Sequence, residues 1–178
     1  MTDNLYASGS ATSAGIDYQQ RVAAWFLVAL LFNHDVSNTL DLPETSYIKD
    51  IAFETAENID DLRLQLTNQN NIYLQIKRSL NLSTSTNSDF YKTIKQFVKQ
   101  FVLNMYSKDI FMLITSSDSS SKILRDLVKI FSSARLNDEK YTQNPLSKSE
   151  RDTYEKYLQI AKDIFKEQTK CFQQGVAE

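Results

Sequence analysis

The 178 residues carry 20 Lys and Arg against 22 Asp and Glu, a formal net charge of -2, and 42% are hydrophobic, the balance of one globular domain with a real core. That charge argues against nucleic-acid binding through overall positive potential, while leaving room for a local basic face. The single cysteine, Cys171, and the single histidine, His34, exclude a disulfide framework, a Cys/His zinc site and a hydrolase built on a Cys/His or Ser/His pair with a second histidine.

Residues 1–14 are small and polar and lack the Lys and Arg that open a secretory signal, which predicts a flexible lead-in. The run VAAWFLVALLF, residues 22–32, is shorter than the ~20 apolar residues that cross a bilayer. It predicts a helix over Asp17 to Phe32, apolar nearly all round and therefore buried, with Asp17 as its cap and Trp25 and the neighbouring phenylalanines in the core. With no export signal and one thiol, a reducing cytoplasm is the expected compartment.

Alternation over Ser46 to Glu54 predicts a first strand, with Tyr47, Lys49, Ile51 and Phe53 opposed to Ile48, Asp50, Ala52 and Glu54. Two further strands, LRLQL and NIYLQIK, join through Thr67 to Asn71 as a hairpin whose asparagines tolerate positive φ. Ser88 to Met105 predicts a helix, because Phe90, Ile94, Phe97, Val98, Phe101 and Met105 form one stripe. DIFMLIT, residues 109–115, is a continuous apolar run of the kind that makes a central strand covered on both faces. A Ser-rich and Asp-containing segment then caps a helix over KILRDLVKIF, and a turn at Asn144-Pro145 leads to a polar amphipathic helix over roughly Ser147 to Lys170. The predicted class is α/β, a small mixed sheet flanked by helices in the order α-β-β-β-α-β-α. Residues 15–136 form the core and 137–178 a helical extension.

The hairpin carries the chemistry. In an extended strand Asp61, Arg63 and Gln65 share one face, and in the partner Tyr73, Gln75 and Lys77 share one, leaving Leu62, Leu64, Leu66, Ile72, Leu74 and Ile76 for the core. Pairing about the turn brings Asp61 to the end where Gln75 and Lys77 sit. A carboxylate and an amide oxygen are hard ligands suited to magnesium or manganese, which polarises a phosphate and acidifies a bound water. Lys77 would position that water or the phosphate. The neutral Gln75 leaves the site short of negative charge, so Asp60 or Glu57 is expected to assist, with Asp61 favoured over Asp60 as the ligand by its face.

Asp61 followed by Gln75-Ile76-Lys77 at the end of the next strand resembles the PD-(D/E)XK nuclease superfamily in its Mrr-like branch, where Gln stands in place of the usual acid. GIDYQQR is similar to the opening helix of that branch and maps Gln19 onto the residue that supports the site. ENIDDLRLQL with YLQIKRS also resembles the amino-terminal effector nuclease domains of bacterial antiphage systems. Over roughly Gly15 to Thr115 the resemblance implies a restriction-endonuclease-like core. It also implies a magnesium- or manganese-dependent endonuclease acting on duplex DNA, with Asp61, Gln75 and the Ile76 carbonyl holding the metal, and an effector that works as a homo-oligomer or with a fused or associated sensor. The chain departs from the superfamily in having no acid before Lys77 and no Pro before the aspartate.

Lys92, Lys95 and Lys99, with Arg78, would form a sequence-independent, salt-sensitive track for the DNA backbone. Taken alone, that lysine stripe reads as a solvated helix face. The competing reading of the whole chain is a catalytically inactive scaffold that binds partner subunits.

Overall fold

A computed structural model describes residues 4–105, 107–135 and 146–174, with side chains over 13–105, 107–134 and 146–170. Its elements are α1 (Asn4–Leu31), a single turn α2 (Ser37–Leu40), β1 (Ile48–Phe53), β2 (Leu62–Leu66), β3 (Asn71–Lys77), α3 (Asp89–Leu103), β4 (Ile110–Thr115), a π-helical turn (Lys122–Leu127) running into α4 (Val128–Arg135), and α5 (Lys148–Gln174). The coarse class is the expected one, a mixed α/β protein with a small four-stranded sheet. Two compact units interleave along the chain, Met1–Arg78 with Tyr106–Thr115, and Ser79–Met105 with Ser116–Glu178.

The first unit is the sheet with α1. Strand order follows chain order, with β1 antiparallel to β2, β2 antiparallel to β3, and β4 parallel to β3. Leu62, Leu64, Leu66, Ile72, Leu74 and Ile76 join Ile48, Phe26 and Ala29 in one buried cluster, so the period of two sorts the hairpin's leucines and isoleucines as expected. Each of these leucine, isoleucine and phenylalanine side chains, taken out of water, stabilises the fold by about 1.5–3 kcal/mol. Asp109 Oδ1 accepts from both the backbone N–H and the side-chain amide of Asn71, at 3.3 and 3.1 Å, which ties the start of β4 to the start of β3.

Several local expectations are corrected. α1 begins at Asn4, so residues 4–14 of the expected lead-in are helical, and over residues 13–31, where its side chains are described, it buries one side only. Phe26 and Ala29 are core, whereas Trp25, Leu27, Val28 and Leu31 are exposed, as is Phe32 just past the helix. Apolar residues all round a helix measure its composition, not how many surfaces are available to cover it. β1 does not keep one parity: an irregularity between Ile48 and Asp50 puts Ile48 opposite Leu66 and Ile51 opposite Leu64, so both meet the core. In the hairpin turn the positive φ belongs to Gln69, at 71°, while Asn68 Oδ1 accepts from the Asn70 N–H at 3.1 Å. β4 is an edge strand, and every one of its residues is only half-buried. Its apolar run reflects two faces that are each partly covered rather than a central place in the sheet.

The second unit is helical. Ser88 caps α3 by accepting from the Tyr91 N–H at 3.2 Å. Phe90, Thr93, Ile94 and Gln100 are buried, while Phe101 and Met105, at the far end of the expected stripe, keep 46% and 39% of their surface exposed. α3 packs on α5, with the Phe101 and Phe165 rings 6.5 Å apart. A capping box starts α5: the Glu150 N–H donates to Ser147 Oγ at 3.2 Å and the Ser147 N–H donates to Glu150 Oε2 at 2.8 Å. The Lys129 ammonium bonds Glu150 as well and, as the chief cause, holds its carboxyl below the usual range. Asp126, on the π-helical turn, accepts from Ser149 Oγ at 2.6 Å and Thr153 Oγ1 at 3.0 Å, so a carboxylate joins that turn to α5. The expected turn at Asn144-Pro145 lies outside the described residues.

Candidate functional site

β2 ends its ladder at Leu62, which pairs with Leu74, and the next residue outward on each strand is Asp61 and Gln75. Past the last paired residue the Ile76 N–H has no β2 carbonyl to meet, and the Asp61 side chain takes that place. Asp61 Oδ2 accepts from the Ile76 N–H at 2.6 Å and from Gln75 Nε2. From α1, Gln19 Nε2 donates to Asp61 Oδ1 at 3.0 Å and to the Ile76 carbonyl at 3.3 Å. One carboxylate thus collects three N–H donors from three residues.

Desolvation pushes the Asp61 carboxyl above the ordinary carboxylate range; the Ile76 N–H, the positive charge of Lys77 and the Gln19 bond pull the other way, and the charge of Asp60 adds to the rise. Lys77 and Asp60 are therefore near enough to act on Asp61 through their charges. Glu57 is exposed, in the loop between β1 and β2. Arg78 ends the first unit, exposed, and Lys92, Lys95 and Lys99 lie in the second unit on α3, Lys92 exposed and the others half-buried.

Gln75 is 1% exposed, and with its Nε2 on Asp61 its Oε1 has no hydrogen-bond partner. An orphaned buried acceptor costs about 1–3 kcal/mol unless something fills it. Asp61, Gln75 and Ile76 carry three hard oxygen donors, and with the Gln75 amide rotated to turn its Oε1 rather than its Nε2 toward Asp61 these residues fit, by donor chemistry, a divalent cation of the magnesium type. Among the described residues no group of three or more His, Cys, Asp or Glu side chains is arranged to hold a metal, so such a site would have one carboxylate and two neutral carbonyls.

Two contacts had no sequence signal of their own. The Ile76 N–H bond to Asp61 is a backbone interaction, invisible in residue types, although the register that predicts Asp61 opposite Gln75 also predicts where the ladder runs out. The Arg63 guanidinium lies 3.5 Å from Asp50, a pairing set by the irregular β1 register.

Compared with known proteins, the chain matches no family model, no curated protein and no solved structure. Among the described residues no helix is long and apolar enough to cross a membrane.

Proposed function

We propose that this chain is a metal-dependent DNA endonuclease with a restriction-endonuclease-like core, hydrolysing phosphodiesters at the Asp61 cluster. The observation that carries the reading is the buried Gln75 Oε1, unpartnered beside a carboxylate that also meets the Ile76 backbone. The element order supports it: a helix, a three-strand meander, then a helical excursion returning as a parallel fourth strand. So does the resemblance of Asp61 and Gln75-Ile76-Lys77 to the Mrr-like branch of the PD-(D/E)XK nucleases.

In this reading Asp61, Gln75 Oε1 and the Ile76 carbonyl hold magnesium or manganese. A cation so held supplies Lewis acidity and a water of lowered pKa. Lys77 orients the attacking water and offsets negative charge building on the phosphate. Gln19 orders the Asp61 carboxylate from α1 before any ion binds, and Asp60 and Glu57 add the negative potential that the neutral Gln75 does not provide. Lys92, Lys95, Lys99 and Arg78 bind the backbone of duplex DNA without regard to sequence. The likeness to antiphage effector domains supports a cytoplasmic effector that acts as a homo-oligomer or with a sensor subunit.

A second reading, an inactive scaffold that binds protein partners, is favoured by the apolar residues α1 and its end leave exposed, with Leu31 at 78% and Phe32 at 73%. Plasmid DNA and RNA incubated with the protein and magnesium or manganese separate the two. Cleavage of DNA that Asp61→Ala and Lys77→Ala each abolish supports the nuclease; cleavage indifferent to both refutes the site; absence of cleavage under every assembly condition favours the scaffold.

A further inference from the structure

The cluster as it stands is closed to a cation, and the group that closes it comes from a different element than the ligands. The Gln19 amide nitrogen is engaged twice, on Asp61 Oδ1 at 3.0 Å and on the Ile76 carbonyl at 3.3 Å. These are two of the three oxygens assigned to the metal. A magnesium ion bonds its oxygens at about 2.0–2.1 Å, so an ion bridging that pair on the side the amide faces falls on the Nε2 group, which has no lone pair to offer. Gln75 is turned the same way, Nε2 toward Asp61 and Oε1 away. Rotation about its last torsion, a broad two-fold one, would turn that oxygen inward. The Ile76 N–H, by contrast, is backbone and stays.

We infer that Gln19 is a gate on the cation site: its amide occupies the place between Asp61 Oδ1 and the Ile76 carbonyl, and a divalent ion enters only as that amide withdraws. The inference rests on the nuclease reading of the site. It makes Gln19 a positioning residue that holds the metal-free form together and opposes loading. A plain supporting residue would do the reverse, because losing it would loosen the ligands and weaken binding. A glutamate in its place would be repelled by Asp61 in the empty site and attracted by the ion in the filled one.

The test is manganese affinity, by calorimetry and by the electron-spin signal of free Mn²⁺, of the full chain and of Gln19→Met, Gln19→Glu and Asp61→Asn. Gln19→Met keeps the length and removes the donors, and melting without metal reports whether each variant folds. Gln19→Met is expected to bind manganese about tenfold more tightly, roughly 1.4 kcal/mol, Gln19→Glu more tightly still, and Asp61→Asn not at all. In the parent, the Gln19 side-chain ¹⁵N–H resonances should move on magnesium addition with the midpoint of binding. Affinity unchanged or weakened in a folded Gln19→Met, with Asp61→Asn still abolishing it, overturns the gate and leaves the cation site intact. No cation bound by any folded variant overturns the gate and the nuclease reading together.

Discussion

Asp61 stands across the hairpin from Gln75 and accepts its side-chain amide, on the register that sets Leu62 opposite Leu74. The bond joins the two strands at the point where their ladder stops. If the cluster is the reactive centre, Asp61→Ala and Lys77→Ala should each lower the rate of plasmid nicking by about 10²–10⁴-fold, the range for removal of a positioned acid-base or charge-stabilising group. Gel quantitation of the supercoiled form checks this, with far-ultraviolet circular dichroism to show that the variants fold.

The core and the outer face of α1 should respond unequally to truncation. Leu74 is fully buried in the sheet cluster, so Leu74→Ala should cost about 2–5 kcal/mol in urea unfolding, through the burial removed and the cavity left behind. Leu31, 78% exposed, should cost within about 0.5 kcal/mol on the same change.

Should the lysines of α3 meet DNA phosphates, each of Lys92→Ala, Lys95→Ala and Lys99→Ala would weaken binding to unrelated duplexes equally. Each would also lower the magnitude of the slope of log affinity against log salt, by about one unit for every phosphate no longer neutralised. Fluorescence anisotropy over a salt series measures both; an unchanged slope in the triple variant assigns the stripe to solvent.

Asp126 yields a pH signature. The Ser149 hydroxyl bond, followed by Thr153 and the Lys122 ammonium, holds its carboxyl below the ordinary range despite desolvation. A carboxyl lowered on folding stabilises the protein above its unfolded value of about 3.9, and that stabilisation disappears as pH falls through the lower folded value. The gap in melting temperature between parent and Asp126→Asn should therefore be constant from about pH 5 upward and close below about pH 4.

What was legible in the sequence was what has a period. The leucines and isoleucines of the hairpin announced their face because a one-residue slip would expose all of them, and the same arithmetic put Asp61 beside Gln75. Gln19 was placed by resemblance, not by spacing, since a bond between residues 42 apart in the chain leaves no local pattern. Where one residue shifts the count, legibility fails: the irregularity after Ile48 broke the parity of β1, and Gln69 rather than an asparagine took the left-handed conformation. Composition alone misled for α1 and β4, because Trp25 and Phe32 are as apolar as Phe26, and DIFMLIT reads alike at a sheet's middle and at its rim.

The chain leaves the sheet after Arg78, builds α3, and comes back to lay down β4 before leaving again at Ser116. A fragment stopped at Arg78 would present β3 as a raw border, its row of N–H and C=O groups flanked by Ile72, Leu74 and Ile76, a template for stacking with other copies. Neither unit can be excised as a continuous stretch, so synthesis must run through residue 115 before the sheet can close.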